Sequence, residues 1–550
     1  MKSSVTLTAL ANDNFIAMII ASPGYRAVIC RTASSRKLLT IRTLGFALSA
    51  LGFSMASAQA AEWRILPALT VSGTYHDNIT QAPSGAEESD FVTEVNPGIS
   101  IQADGSRLNL DLSYTMQNLF YAENSDDNTT NHELTADANA ELMRKFLFLD
   151  VFGSYQQVLL SPEGTGGSDN TTITDNRTDA WTYSLSPYAV TRFGNLAAEL
   201  RYTFEKVGYA ESEAETAAAS DTQSIFANLA SDPSARRLSR VSDYRSSGGG
   251  SGSDNSQAAA AARQYANNVQ WSVTYARDQT DFKDDTDDVF ENIALDTSYR
   301  VGARTAFLAG LGYENNEFEQ SDELDKPEGL FWYTGVAWSP SRRTSLEATI
   351  GRRFYGTTYS LDVQHATRTI SANIQYAEDF TTSSGTLLEN QLTSGSASDS
   401  GDAFSDPVEN PQSLLNVPLP GLSSDVFLRR RLTGEIAKQT AKSTFSVSAF
   451  GEKREFQSAA SDEQVFGFAF VWDWRFASRT DSSLTAEWQR QEFDSDNRED
   501  DFWQVGLNIN RRMSQRMNGY VDYRYGRRDS TEPEDDYTEN VIAAGLQVQF

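Results

Sequence analysis

The stretch Leu108–Met116 reads LNLDLSYTM. Leu108, Leu110, Leu112, Tyr114 and Met116 fall on one side of an extended chain, and Asn109, Asp111, Ser113 and Thr115 on the other. A repeat of two is the period of a pleated strand, whose successive side chains point to opposite faces. An amphipathic helix would instead place its apolar positions three and four apart.

The same alternation recurs outward in both directions. Leu134, Ala136, Ala138, Ala140 and Leu142 oppose Glu133, Thr135, Asp137, Asn139 and Glu141. Leu196, Ala198, Leu200, Tyr202 and Phe204 oppose Glu199 and Arg201. Later sets are Val269, Trp271, Val273 and Tyr275; Ile370, Ala372, Ile374 and Tyr376; and Trp503, Val505, Leu507 and Ile509. In the last segment, Ile542, Ala544, Leu546, Val548 and Phe550 alternate up to an aromatic terminus, an ending that resembles the insertion signal of bacterial outer-membrane barrels.

A half-buried sheet in water would also alternate, but three features favour a membrane. The segments run about 9–13 residues, the length of a tilted transmembrane strand. Aromatic residues gather at segment ends: Phe120 and Tyr121, Tyr313, Trp332, Trp338, Trp472 and Trp474. Such rings suit the two lipid–water boundaries. Short connections, such as Arg144-Lys145 and Gly302-Ala303-Arg304, alternate with long ones at 76–90, 121–130, 160–177, 314–328, 491–501 and 526–539. Basic residues mark the tight turns (Arg342, Arg343, Arg511, Arg512), whereas acidic ones crowd the long loops (Asp284 to Asp288, Asp494 to Asp501). Tight turns are expected on the periplasmic side and long loops outside. The reading is an all-β chain forming a transmembrane antiparallel β-barrel in the outer membrane. About 21 segments are clear. Both chain ends on one side require an even number, so a hidden strand is expected near Ser224 to Ser231, giving about 22 strands, with 20 as the alternative.

The chain has 550 residues and a formal charge of −29. Hydrophobic residues make up 39%, and no apolar run reaches the roughly 18 residues of a membrane helix. Arg36, Lys37 and Arg42, the apolar stretch Leu44 to Ala56 and the small-x-small Ala58-Gln59-Ala60 have the order of a cleavable signal peptide. Residues 1–60 are therefore expected to be removed, with 1–35 upstream of the true start and Ala61 first in the mature chain. That leaves 40 basic and 74 acidic side chains, a charge of −34, which argues against a nucleic-acid partner. The lone cysteine, Cys30, lies in the removed part, so no disulfide or thiolate site is expected.

Two connections are unusually long. Residues 210–264, rich in Ala, Ser and Gly, and 380–424, rich in Ser, Asp and Pro, are expected as external surface loops. The alternative is a segment folded inward as a plug, which wide barrels often carry.

Several stretches resemble a known family. They are AEWRILPALTVSGTYHDNI at 61–79, SDFVTEVNPGISIQADGSRLNLDLSYTMQNLFYA at 89–122, NHELTADANAELMRKFLFLDVFGSYQQ at 131–157, GLGYENNEF at 310–318, WYTGVAWSPSRRTSLEATIGRRFYGTTYSLDVQHATRT at 332–369 and YAEDFTTSSG at 376–385. Together they resemble the outer-membrane β-barrel proteins associated with the PEP-CTERM/exosortase system, and more loosely exopolysaccharide-export porins. The resemblance covers most of the mature chain and is weakest at 210–264. It implies a barrel linked to exopolysaccharide export and carries no catalytic residues.

Chemistry is sparse. The histidines are His76, His132 and His365. His365 is expected at the lipid boundary, His76 and His132 as solvated rim residues, so no hydrolase triad is anticipated. The Asp284–Asp288 run lacks the ligand spacing of a calcium loop. No cofactor or metal site is expected, and no enzyme. Alternation directs Asp111, Asp150, Glu199, Arg201, Arg353, Asp362, Glu435, Glu487, Asp522 and Arg524 into the lumen. There they either satisfy one another or line a polar track for a sugar polymer. The expected function is a pore or accessory channel in surface-polymer export, or a non-conducting barrel that anchors surface matrix. Expected partners are lipid and lipopolysaccharide, the latter bridged loosely by divalent cations, the barrel-insertion machinery that reads Phe550, and polysaccharide export components.

Overall fold

The computed structural model describes residues 10–12, 15–17 and 61–550, except 165, 167–168, 212–213, 215–216, 232–268, 285, 322–325, 396–416, 459–460 and 495–496. The expected signal segment lies outside these residues, apart from an antiparallel ribbon of Leu10–Asn12 with Phe15–Ala17.

Twenty-two strands follow: β1 Glu62–His76, β2 Asp90–Asp104, β3 Leu108–Tyr121, β4 Thr129–Met143, β5 Leu147–Leu159, β6 Arg177–Phe193, β7 Leu196–Tyr209, β8 Ser220–Ala230, β9 Val269–Phe282, β10 Asp287–Arg300 and β11 Thr305–Glu317. The second half comprises β12 Glu328–Ser341, β13 Thr344–Arg353, β14 Gly356–Ala366, β15 Ile370–Thr381, β16 Phe427–Gln439, β17 Ser443–Phe456, β18 Glu463–Ala477, β19 Thr480–Phe493, β20 Arg498–Arg512, β21 Met517–Ser530 and β22 Tyr537–Gln549. A helix, α1 (Ser383–Gly395), lies between β15 and β16. Each strand pairs antiparallel with its sequence neighbours, and β22 closes the ring on β1. Closure leaves no unpaired edge, which hydrocarbon would not tolerate. The strands run from 10 residues (β13) to 17 (β6), enough for a crossing that needs about 9–11.

Directly paired residues share a face, so the register assigns inside and outside. Gln102, Asp111, Asp137 and Phe152 pair in succession across β2 to β5 and all face inward. The outer face carries the apolar half of each strand: Leu200, Leu311 and Ile436 are 57%, 56% and 54% exposed. Trp63, Trp338 and Trp474 ring the tight-turn end, and Phe91, Phe120 and Trp503 the other. A soluble protein rarely exposes so continuous an apolar belt. Replacing mid-strand Leu311 by arginine should therefore cost about 2–4 kcal/mol of folding free energy in lipid vesicles. An unchanged unfolding midpoint would place this face in water.

The hidden strand is β8. It divides the stretch expected as one external loop at 210–264. β8 ends and β9 begins at the tight-turn end, so the connection between them, largely outside the described residues, leaves from the side opposite to that expected. Parity forces this: β7 rises, β8 descends and β9 rises. The tight turns are as short as Gly194-Asn195, where Gly194 supplies a φ of 59° that matches the strand twist. One connection at the opposite end is equally short, Phe354-Tyr355 between β13 and β14.

Candidate functional site

The second long loop is not a surface loop where it is described. At its start Thr382 caps α1, its Oγ1 accepting the Gly385 N–H at 3.2 Å. The helix then crosses to the far side of the ring, since β5 and β15 stand nearly opposite. Leu387 packs with Val158, Ala180, Val207 and Tyr209 on the inner wall of β5 to β7, and Leu388 and Leu392 pack on Phe152. The returning limb follows: the Leu422 N–H donates to Leu160 O at 3.2 Å, and Leu419 and Leu422 join the same apolar cluster. The Ser423 N–H donates to Ser383 Oγ at 3.1 Å and ties the two limbs together.

Arginines of the wall clamp this segment. Arg429 on β16 is bidentate to Asp379 (3.0 and 2.7 Å) and reaches Glu389 of α1 at 2.7 Å. Arg454 on β17 bonds Glu452 at 2.6 Å and Glu463 at 2.8 Å, and donates to Pro418 O on the returning limb. Arg431 also bonds Glu452. These side chains lie on the inner face because β16 and β17 pair Arg429 with Arg454 and Arg431 with Glu452. Two like charges directly opposite are unfavourable, and the carboxylates interleaved between them offset that repulsion.

A second segment folds inward. The loop 160–176, between β5 and β6, was expected outside. Its Glu163 O accepts from Arg498 at 2.9 Å and from Arg528 at 2.6 Å, with Asp500 bonded to both arginines at 3.0 and 2.8 Å. Asp169 pairs with Arg524. Thr171 bonds His76 Nε2 through its Oγ1 at 2.7 Å and accepts the Tyr121 hydroxyl on its carbonyl at 3.0 Å. His76 is thus fully buried and not a rim residue. His132 faces outward, its ring 2.8 Å from the Tyr114 hydroxyl, so the two histidines do not meet. His365 sits near the tight turn beside Thr344 Oγ1 at 2.8 Å.

Every charged residue directed inward by alternation stands on the inner face. Asp150, Glu199 and Arg201 are brought together, with Arg201 bonded to Asp150 at 2.8 Å and Glu199 at 3.3 Å and stacked 3.9 Å over Tyr188. Asp522 joins Arg524 at 3.0 Å. Arg353 joins Glu314, a residue outside the expected set, at 3.0 Å. Asp111, Asp362, Glu435 and Glu487 stand on separate parts of the wall, on β3, β14, β16 and β19. Phe550 is 64% exposed, its N–H donating to Pro67 O at 2.9 Å. Among the described residues no group of three His, Cys, Asp or Glu stands ready to hold a metal ion.

The plug contacts themselves were missed. The run Arg429-Arg430-Arg431 carried a signal: alternation turns two of its three charges inward. Nothing in residues 160–176 announced where their backbone carbonyls would dock.

Asp169 gives the latch a pH dependence. Burial opposes its ionisation, but the Arg524 guanidinium, His76 and the Thr171 donors outweigh this and hold the carboxyl below its ordinary value. A depressed acid stabilises the folded contact above the unfolded value of about 3.9, and that contribution is lost as pH falls through the lower folded value. Protection of the Thr171 amide from hydrogen exchange should fall below about pH 3.9, and Asp169→Asn should lower it at pH 7. Equal protection factors at both pH values would rule out this contact as the tie that holds the loop.

Residues 56–225 match the model of a family described as "Putative beta-barrel porin 2". No curated protein matches the chain. Similar solved structures include the FrpB iron transporter from Neisseria meningitidis (F3-3 variant), at 10% identity over 90% of this chain and 83% of that one, TM-score 0.48. The siderophore receptor PirA from Acinetobacter baumannii is 8% identical over 88% and 80%, TM-score 0.44. OccK2 (OpdF) from Pseudomonas aeruginosa is 8% identical over 88% and 98%, TM-score 0.33. With a closed ring of 22 strands and a porin-family match running from β1 into β8, the chain is a porin-like β-barrel of the outer-membrane type.

Proposed function

We propose that the protein is a plugged outer-membrane channel that conducts when either of two inward-folded segments is displaced. One observation carries this reading: α1 and the loop 160–176 fold into the lumen, α1 seated on the apolar dock of β5 to β7 and both segments tied to the facing wall by ion pairs and hydrogen bonds. Those polar ties can be exchanged for water, which leaves a route for the segments to detach. In this reading the cargo is a surface polymer of the exopolysaccharide kind, exported with the PEP-CTERM/exosortase system and its polysaccharide export components. The chain is read as non-catalytic, seated in lipid and lipopolysaccharide, and inserted through a signal that includes Phe550.

Planar-bilayer recordings test the channel. Wild-type protein should be mostly closed with rare large openings, and a deletion strain should secrete less polymer. Absence of current from both wild type and unplugged variants, with normal secretion, would defeat the reading. The same dense ties favour the alternative, a non-conducting barrel whose loops anchor surface matrix. That alternative predicts altered attachment with no current from any variant.

A further inference from the structure

Charge is divided unevenly along the lumen. The arginines that clamp the plug lie toward the loop end and are matched by carboxylates. Toward the tight-turn end the wall carries Asp111, Asp137, Asp296, Glu347, Asp362 and Glu435, each three to six residues from the nearest tight-turn end of its strand. They come from strands spread around the ring, namely β3, β4, β10, β13, β14 and β16. In the row of Asp111 and Asp137 the inner wall also carries Arg64, paired with Gln102 and bonded to Glu62 at 3.2 Å, and just above this depth stand Arg201 and Arg524. Arg201 is held by Asp150 and Glu199, and Arg524 by Asp522 and Asp169.

Two of the carboxylate pairs oppose each other directly across neighbouring strands: Asp111 with Asp137, and Glu347 with Asp362. Like charges in directly paired positions cost stability. The chain bears this cost twice, on nearly opposite walls, since β3 and β13 lie ten places apart in the 22-strand ring. At the second pair Asp362 is only 6% exposed, and its Oδ1 has no hydrogen-bond partner among the described residues. A buried carboxylate oxygen left so is costly unless a positive group reaches it.

We infer that this belt is a charge filter, and that the lumen admits cations and neutral chains in preference to anions. A ring of carboxylates on the low-dielectric wall of a lumen concentrates cations and repels anions. The inference rests on the channel reading and narrows it: a polyanionic polymer is disfavoured as cargo, and a neutral or amino-bearing one fits.

The test is the reversal potential of the full-length barrel in planar bilayers under a potassium chloride gradient, recorded with Arg429→Ala to release the plug. Potassium should be preferred over chloride by about tenfold. Glu347→Gln with Asp362→Asn should lower that ratio by about two- to threefold and leave thermal stability unchanged or raised, because the substitutions relieve repulsion. A conducting barrel with equal permeability, or with a chloride preference, overturns the inference while sparing the channel. If no variant conducts, the channel reading itself fails and the filter falls with it.

Discussion

Arg429→Ala should convert a mostly closed barrel into one that conducts steadily. The guanidinium of Arg429 is 7% exposed and holds Asp379 through two bonds and Glu389 of α1 through one. Without it, two carboxylates face each other in a poorly hydrated corner. Removing one partner from such a buried cluster costs about 3–5 kcal/mol, because the remaining charges lose their counter-ion. The wall cannot relieve this strain, since β15 and β16 are locked by their ladder from Ile370–Lys438 to Thr381–Phe427. The helix can relieve it, because swinging Glu389 into water removes the repulsion. Burial opposes ionisation of Glu389, and Arg429 and Arg431 hold its carboxyl below the usual range, so the pair is charged at neutral pH. Single-channel recordings should show a large increase in open time, and cells should become sensitive to bulky antibiotics. Leu387→Ser with Leu388→Ser reaches the same state by a different route, removing the apolar dock on β5 to β7 and leaving every ion pair in place. If both variants fold, by heat-shifted mobility on gels, and both stay closed, then α1 does not gate the lumen.

The largest stability loss is expected at Arg454. Its side chain is 1% exposed and bonds Glu452, Glu463 and the carbonyl of Pro418. Arg454→Met fills similar space yet leaves Glu452 bonded to Arg431 and takes from Glu463 the ion pair it makes with Arg454. A loss of about 3–5 kcal/mol is expected, read as a lowered denaturant midpoint in detergent micelles. Adding Glu463→Gln should recover part of it, since the coupling energy of touching charged groups is not additive. Equal losses in the single and double variants would mean that Arg454 acts through packing alone.

Much of the architecture is legible along the chain. Alternation in Leu108–Met116 and its counterparts marks strands and assigns faces, because a pleated backbone has no freedom to turn neighbouring side chains the same way. Even the concealed strand Ser220–Ala230 follows from counting, since a closed antiparallel ring needs an even number. The same logic directs Asp150, Glu199 and Arg201 inward, where they are found bonded together.

Connections obey no such periodicity. Leu387 and Leu388 in a Ser- and Asp-rich loop look like ordinary solvated chain until the inner wall of β5 to β7 is available to cover them. Residues 160–176 find their place through Glu163 and Thr171 carbonyls, groups every residue possesses, meeting Arg528 and Tyr121 more than three hundred and about fifty positions away respectively. Local repeat thus dictated the cylinder, since each strand needs only its own two faces and the next strand's. Whether that cylinder is empty or filled depended on contacts between remote segments, which exist only once the ring has closed and brought opposite walls within reach of one loop.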